Sequence, residues 1–469
     1  MATVPLLRGD KVDNNTDYRD ALPVNYYAVM RDIYGVKGYL LNFYGLTSFG
    51  EGQGKSRGST WVARIGFEGH YRVSGTSLIK VEDDESITVL GHVPGTDQVS
   101  FTYSLNNLAI VADKKLYYYN PTDGFRQIND PDIVDIIDIV WADFRFIATD
   151  GEFLFQSSSL NEEEYESLAF TGSDFQPDKI WGVALDEDNE LIAFNAFTTE
   201  YFFNAGTDNF SYTRIPLKAI KSGIVGTHCK IEYKDKWFTL SRRINTQPQF
   251  TVIQSGSSES ITTREIEKVL VKYTDDELSM VTLDMFVKDS VVWFIAHLPN
   301  EVLAFNYTMS KKFGVEYSWS ILKSDVLGDL PFRAKDFIYD PRFKYWIGGD
   351  KNTTDLGYLD DSTCTQYGEI VEGLLYTPNL DLETLSIDKI EIETIPGIAP
   401  DNDATVFISR SDDMRVDGRE WTAIYGNNQD YGQRFIIRRM GYVRDKISFR
   451  LRTASRSRMS FCEFDIEAS

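Results

Sequence analysis

Short apolar runs rich in Val, Ile, Leu, Tyr and Phe recur along most of the chain, separated by Gly, Asn and Asp. Tyr71-Arg72-Val73, Leu108 to Val111, Lys115 to Tyr119, Arg145 to Ala148, Leu191 to Phe194, Lys236 to Leu240, Val291 to Ala296 and Lys344 to Ile347 are of this kind. Each is too short for an amphipathic helix and is bounded by turn residues, so each predicts a β-strand. Asn106-Asn107, Asp123-Gly124, Asp150-Gly151, Asp188-Asn189 and Gly349-Asp350 supply the turn chemistry, because these residues tolerate the left-handed backbone that tight hairpins need. Only two stretches read as helical. One is Glu162 to Leu168; the other is Thr263 to Tyr273, followed by Thr274-Asp275-Asp276-Glu277 in the pattern of a cap and a further short helix.

The spacing of these units says more than any single strand. They begin near residues 60, 99, 140, 180, 224, 281 and 332, a step of about 40 to 55 residues that matches a four-stranded propeller blade. An all-β fold follows, with a β-propeller of six or seven blades over residues 44–365. Separate β-sandwiches are the other arrangement with this spacing, and no WD or kelch signature decides between them. From residue 366 to 469 the pattern lengthens: Ile387 to Ile395 alternates apolar and polar, as strands with one solvated face do. Ser411-Asp412-Asp413 through Asp417-Gly418-Arg419-Glu420-Trp421 reads as a hairpin, with Ile447 to Leu451 and Ser460 to Ile466 as closing strands. A C-terminal β-sandwich-like domain accounts for them. Residues 1–43, which include Leu22-Pro23-Val24-Asn25, show little periodicity and read as an extended N-terminal arm lying on the rest.

Composition narrows the class. Of 469 residues 42 % are apolar, enough for packed cores and against global disorder. No run approaches the ~18 apolar residues of a membrane span; Val291 to Leu298 stops at Pro299. Met1 to Asp20 carries Arg8, Asp10, Lys11, Asp13 and Asp17 without an apolar core, so no secretory signal is expected. Cys229, Cys364 and Cys462 are too few and too far apart for a disulfide framework or a zinc site and read as reduced thiols.

The net charge is −23, but it is uneven: nine basic residues and one acid lie between Arg434 and Arg458, leaving −31 for the remaining 444 residues. An acidic body repels nucleic acid and excludes a conventional DNA reader. The basic run is dominated by arginine. Guanidinium groups bond carboxylates in pairs and suit interfaces better than ammonium groups, so Arg434, Arg438, Arg439, Arg444, Arg450 and Arg452 are the candidate contact residues, with a solvated strand face as the plainer alternative. Along Ile447 to Thr453, alternation puts Arg450 and Arg452 on one face and Phe449 and Leu451 on the other.

Other motifs carry less. Gly50 to Ser56 suggests a phosphate loop, but Phe49 stands where the first glycine is needed and a strand, not a helix, follows. His70, His92, His228 and His297 lie outside metal-ligand spacing of one another, and the adjacent His228 and Cys229 would point to opposite faces of a strand. Asp132, Asp135 and Asp138, near Asp130 and Asp143, form the densest carboxylate array. They could hold a cation, but the intervening isoleucines make them the solvated side of a buried face. The Ser411 to Trp421 hairpin loosely resembles a sialidase Asp-box, which is structural, and no carboxylate pair stands out for glycosidase chemistry. No catalytic, cofactor-binding or metal-binding residue is nominated.

Several collinear segments carry a family resemblance: Leu22-Pro23-Val24-Asn25, Gly38-Tyr39-Leu40 leading to Gly45-Leu46-Thr47, Ser56-Arg57-Gly58, and Gly223-Ile224-Val225-Gly226-Thr227-His228-Cys229-Lys230. Ile266-Glu267-Lys268 with Tyr273-Thr274, His297-Leu298-Pro299 before Val302-Leu303, Gly349-Asp350-Lys351, Leu374 to Pro378, Asp417 to Glu420 and the basic terminal segment continue it in the same order. Together they resemble the packaged-DNA-stabilisation (tail hub, or tail accessory factor) proteins of short-tailed phages related to the Salmonella lambdoid podophages. The resemblance spans nearly the whole chain; Tyr103 to Gln127 and Glu162 to Asp178 agree only in pattern. It implies a structural virion protein, not an enzyme, assembled in the host cytoplasm as a hexamer below the portal and its adaptor (head-completion) ring. Such a hub extends the channel for genomic double-stranded DNA without reading its sequence, retains packaged DNA, and anchors the tail needle or plug and tailspikes or fibres. A propeller glycan-binding or glycan-cleaving receptor protein of a phage tail is the competing reading.

Overall fold

The alternation of short apolar strands and left-handed turns closes on itself as a ring. The computed structural model describes residues 2–12, 17–30, 38–133, 135–207, 209–382, 384–397 and 404–469. Among them, seven antiparallel sheets follow one another, over residues 56–92, 100–127, 138–172, 180–214, 223–260, 282–322 and 334–360. All have four strands except the fifth, which has five because its inner edge is split into Gly223–Ile224 and Lys230–Tyr233. Each expected unit start falls within, or one or two residues before, the first strand of one sheet, and the first strands Ser56–Val62, Ser100–Tyr103, Asp138–Ala142 and Ile180–Leu185 neighbour one another in turn. Thr282–Lys288 and Ala334–Asp340 continue the ring, and Ala334–Asp340 lies back against Ser56–Val62. This is a seven-bladed β-propeller with the first strand of each blade innermost.

The last blade is completed from the other end of the propeller. Gly45–Glu51 pairs antiparallel with Asp355–Asp360, from Gly45 opposite Asp360 to Glu51 opposite Asp355, as the outermost strand. Leu46, Leu356 and Leu359 are buried by this pairing. The closure joins residues about 300 apart in sequence, and its entropic cost grows only slowly with that length.

The helix readings divide. Arg264–Leu270 is helical with Thr263 as its N-cap, and Asp275–Ser279 follows with a full capping box between Thr274 and Glu277. Glu162 to Leu168, expected as a helix, is instead a turn leading into the strand Tyr165–Gly172. Its glutamates serve the blade: the Glu162 carboxylate accepts from Ser104 Oγ and Asn107 Nδ2, at 2.8 and 2.7 Å. Tertiary pairing with Phe153–Ser157 overrides a local preference for helix. A third helix, Tyr307–Phe313, has Asn306 as its cap and Lys311 and Lys312 in its last turn. Gly349-Asp350, expected in a turn, ends the strand Tyr345–Asp350.

Of the remaining strands, Gly9–Val12 and Tyr18–Ala21 pair with each other, and the others form two packed sheets. One runs Tyr26–Val29, Tyr39–Asn42, Ser460–Ala468, Leu385–Thr394, Phe435–Val443, with Ala2–Pro5 also paired to Ser460–Ala468. The other runs Glu372–Tyr376, Lys446–Ala454, Thr405–Ser411, Glu420–Ile424. Their inner faces meet in a core that includes Ile390, Val406, Ile408, Leu451 and the stacked rings of Phe449 and Phe464. The N-terminal segment therefore supplies strands to the sandwich before it enters the propeller; residues 13–16 and 31–37 of it, and residues 398–403 of the alternating stretch, lie outside the described residues. Strands of four residues are too short to show a period, which is why the segment reads as unpatterned.

Pro23, Val24 and Asn25 stitch the two units together. Val24 exchanges backbone hydrogen bonds with Leu374 of the sandwich, at 2.9 and 3.0 Å. On its other side Asn25 N–H donates to Ile321 O and Ile321 N–H donates to Pro23 O, both at 2.9 Å, in the outermost strand of the sixth blade. The buried Asn25 side chain donates to Glu372 O at 2.7 Å and to Lys323 O at 3.1 Å, and accepts from Lys323 N–H at 2.9 Å. Its backbone is left-handed, φ 53°, a conformation Asn tolerates better than most residues. Asn25→Ala strands these backbone groups and adds strain, and is expected to cost about 2–4 kcal/mol. Urea unfolding followed by near-ultraviolet circular dichroism should then resolve two transitions where the wild type shows one.

Candidate functional site

The inner strands begin at one end of the propeller axis, and there they bring together charged residues from nearly every blade. Arg72, fully buried in the first blade, donates to Ser56 Oγ at 2.9 Å and to the carbonyls of Asp336 and Ile347 in the seventh, at 2.8 and 3.1 Å. Gly349 is needed beside it, because a Cβ there would overlap the guanidinium. The Asp336 carboxylate accepts from Ser56 Oγ and from Gln98 Nε2, both at 2.5 Å, and Lys335 Nζ donates to Gln98 Oε1 at 2.7 Å. Asp284, on the sixth blade, accepts from Asp336 N–H and bonds His297 Nε2, both at 2.7 Å. Across the ring, Lys230 of the fifth blade bonds Asp138 of the third at 2.7 Å, and Asp138 also accepts from Val183 N–H of the fourth at 2.9 Å. The bridge passes over Gly182, where a Cβ would lie 2.7 Å from Lys230 Nζ and 2.8 Å from Asp138 Oδ2.

Burial tunes these groups. It drives the Asp284 carboxyl up to about 7, with the Asp336 charge adding to the rise. Burial acts on Asp336 in the same direction, but Lys335 and Arg72 outweigh it and hold that carboxyl below its ordinary range. Lys351 is pushed down to about 7 by burial and then by Lys335. Burial also depresses the imidazoles: His70 and His228 fall to about 4, and His297 lies well below its ordinary value. Each carboxylate of the axis is bonded to a partner on another blade, so the cluster acts as a set of seams rather than as an acid–base pair facing a substrate.

The arginine segment is split by the fold. On the strand Lys446–Ala454, Phe449 and Leu451 enter the core, while Arg450 and Arg452 lie on the other face. Arg452 reaches Glu420 at 2.7 and 2.8 Å and sits over the Phe407 ring; Arg450 reaches Asp417 at 2.6 Å and Glu420 at 3.2 Å. Arg434 makes a two-pronged pair with Glu391, both arms at 2.5 Å. Arg438, Arg439 and Arg444 are different: they are exposed and join no ion pair among the described residues. Arg438 and Arg439 lie on Phe435–Val443, the edge strand of its sheet, where Arg439 is left-handed at φ 60° beside a bulge opposite Ile387 to Lys389.

Other motifs resolve simply. The glycine-rich turn after Glu51 spends its amides internally, with Gln53 and Gly54 N–H donating to Ser74 Oγ at 2.9 and 3.0 Å. The aspartate array is not a single solvated side: Asp132 is exposed and Asp135 is paired with Lys115 at 3.3 Å, but Asp138 is buried in the axis because its strand begins there. Val134 lies outside the described residues. Among the described residues no group of three or more His, Cys, Asp or Glu side chains is placed to hold a metal ion. All three cysteines are unpaired and buried, and burial raises their thiols, Cys364 and Cys462 to about 11. Sequence reasoning missed Arg72, Asp284 and Asp336; Arg72 and Asp336 meet across 264 residues, which leaves no local signal.

The architecture is thus a closed propeller with polar seams that carries a sandwich with an arginine-bearing edge. Models described as "Bacteriophage P22 Gp10, beta-propeller" and "Bacteriophage P22 Gp10, beta-sandwich" match residues 2–364 and 372–469, and the chain belongs to the P22 Gp10 family. It is 29 % identical over 485 aligned positions to the tail hub protein gp10 of Salmonella phage P22, covering 99 % of each chain. Among solved structures, virginiamycin B lyase from Staphylococcus aureus aligns at 12 % identity and a TM-score of 0.42, over 65 % of this chain and 94 % of that one. The extracellular domain of the putative one-component system BT4673 from B. thetaiotaomicron aligns at 9 % identity and 0.42, over 67 % of this chain and 40 % of that one.

Two outcomes follow for the seams. Gly182→Ala should cost about 1–3 kcal/mol by driving the Lys230–Asp138 bridge apart, read as a lower midpoint in chemical denaturation. Stability should also fall as pH drops from about 6.5 to about 4, because the unfolded chain takes up protons there that His70, His228 and His297 refuse. Asp284 and Glu232, both raised to about 7 by burial, oppose this on the way down to their ordinary values, but they are two carboxyls against three imidazoles. Each net proton is worth about 1.4 kcal/mol per pH unit, so denaturation midpoints at several pH values within the window measure the slope.

Proposed function

We propose that the chain is the structural tail hub of a short-tailed phage. In this reading it forms a homo-oligomeric ring, a hexamer, below the portal and its adaptor ring, extends the DNA channel, retains packaged DNA and anchors the tail needle and tailspikes or fibres. The observation that carries it is the end-to-end match, both domains in order, to a protein named for that role. The charge supports it: an acidic body of −31 outside the arginine segment has no affinity for phosphates, so a duplex can pass without sticking. The axis supports it too, since its carboxylates are engaged in holding blades together, as a load-carrying scaffold requires. Assembly takes place in the host cytoplasm and the product resides in the virion tail.

Arg438, Arg439 and Arg444 are assigned to the assembly interface, whereas Arg450 and Arg452 hold the sandwich together. Electron microscopy of virions carrying a labelled chain tests the placement: density below the portal supports it, and its absence from the tail, or release of reducing ends from host polysaccharide by the purified chain, overturns it. Arg438→Ala/Arg439→Ala/Arg444→Ala should leave the melting temperature within about 2 °C of wild type while sharply lowering the yield of complete tails. Arg452→Ala, which uncovers Glu420 and the buried Glu372, should instead destabilise the fold by about 1–3 kcal/mol.

A further inference from the structure

The unpaired arginines have a counterpart on the same chain. On the third blade, Phe153, Phe155 and Phe170 line a groove of about 490 Å³ whose rim carries Asp150, Glu152 and Glu166. Phe153 and Phe170 meet edge to face at 5.1 Å, yet Phe170 is 47 % exposed and the adjacent Leu168 72 %. The three rim carboxylates are exposed and join no ion pair among the described residues, unlike the neighbouring Asp135, which Lys114 and Lys115 already neutralise. One Asp150 oxygen accepts from the Glu152 and Phe153 N–H groups, both at 2.8 Å, which leaves its charge without a counter-ion; an aromatic floor under such carboxylates suits a guanidinium, which can stack on the ring face and bond the rim at once.

Topology sets the two patches apart. The sandwich is stitched to the sixth blade through Asn25 and Ile321 and leads by Gly45–Glu51 into the seventh. In a ring of seven, the third blade lies across the axis from the sixth and seventh. The sandwich that carries the arginine edge is thus tied to the blades across the axis from the acidic groove, and complementary patches set apart in this way allow a head-to-tail contact, which repeats around a ring where the rotation between copies closes. Arg410 donates to the carbonyls of Met440 and Tyr442 at 2.8 and 3.1 Å, so two carbonyls of the edge strand are already taken and an added strand could not bond them. Tyr442, 55 % exposed on the same edge, adds an uncovered aromatic surface beside the arginines.

We infer that the acidic aromatic groove of the third blade receives the Arg438–Arg439–Arg444 edge of a second copy of this chain. This rests on the tail-hub reading and specifies which surfaces join neighbouring subunits. The test uses full-length chains whose fold is checked by circular dichroism: one with Arg438→Glu/Arg439→Glu/Arg444→Glu, one with Asp150→Lys/Glu152→Lys/Glu166→Lys, and one with all six changes. Ring formation is scored on assembled tails by electron microscopy, and a Glu152→Cys/Arg444→Cys variant is oxidised in the same tails. Each triple variant should lower ring occupancy at least about tenfold, the six-fold variant should recover it, and the cysteine pair should give a disulfide-linked ladder absent from either single variant. Wild-type occupancy in the carboxylate triple, or no ladder from the cysteine pair in fully assembled tails, overturns the inference while leaving the hub reading intact. Wild-type chain missing from the tail overturns the hub reading itself.

Discussion

The pairing of Gly45–Glu51 with Asp355–Asp360 is the constraint on which the rest of the structure depends. Until it forms, seven blades are a string of hairpin sheets with an open edge at each end; once it forms, each inner strand has a neighbour on both sides. It also fixes the sandwich. The chain must arrive at the seventh blade from a segment already paired with the C-terminal strands, and leave it within a few residues of the same place. The Asn25 stitch can bond both units because the closure brings Ile321 and Leu374 to either side of it.

Ring closure explains why so many charges are buried at the axis. Inner strands of a propeller converge, and side chains at their starts crowd together whatever their polarity. Here the crowding is met by pairing across blades: Arg72 to the seventh blade, Asp336 to the first and second, Lys230 to the third. Such pairs add less net stability than an apolar core of the same volume, but losing one partner is costly. The result is an axis in which each blade is registered against the next.

Charge is partitioned by the same logic. Arginines whose strand faces the sandwich's own acids, such as Arg450 and Arg452, are absorbed into the fold, while those at the edge strand stay free. Nothing in the basic run distinguishes the two groups by residue type. The distinction is whether a glutamate on a neighbouring strand lies within reach, and Glu420 reaches Arg450 and Arg452 only because Glu420–Ile424 pairs with Thr405–Ser411, next to Lys446–Ala454.

The strands, the blade period and the division between propeller and sandwich were legible because they rest on local alternation and turn chemistry, which short windows contain. Even the seven unit starts near 60, 99, 140, 180, 224, 281 and 332 lie at the innermost strands, since each blade restarts from the axis. The Glu162 to Leu168 stretch was misleading because strong helix formers sit there in a turn fixed by pairing with the preceding strand of the same blade. The arginine cluster was visible as charge, but not its split into bound and free halves. Arg72, Asp284 and Asp336 were invisible, as their partners lie on other blades hundreds of residues away. Sequence by itself determined the elements and their repeat, because hydrogen-bonded strands and turns respond to neighbouring residues. Tertiary structure alone decided which charges are seams and which are surface, because that depends on which strands ring closure brings within bonding distance.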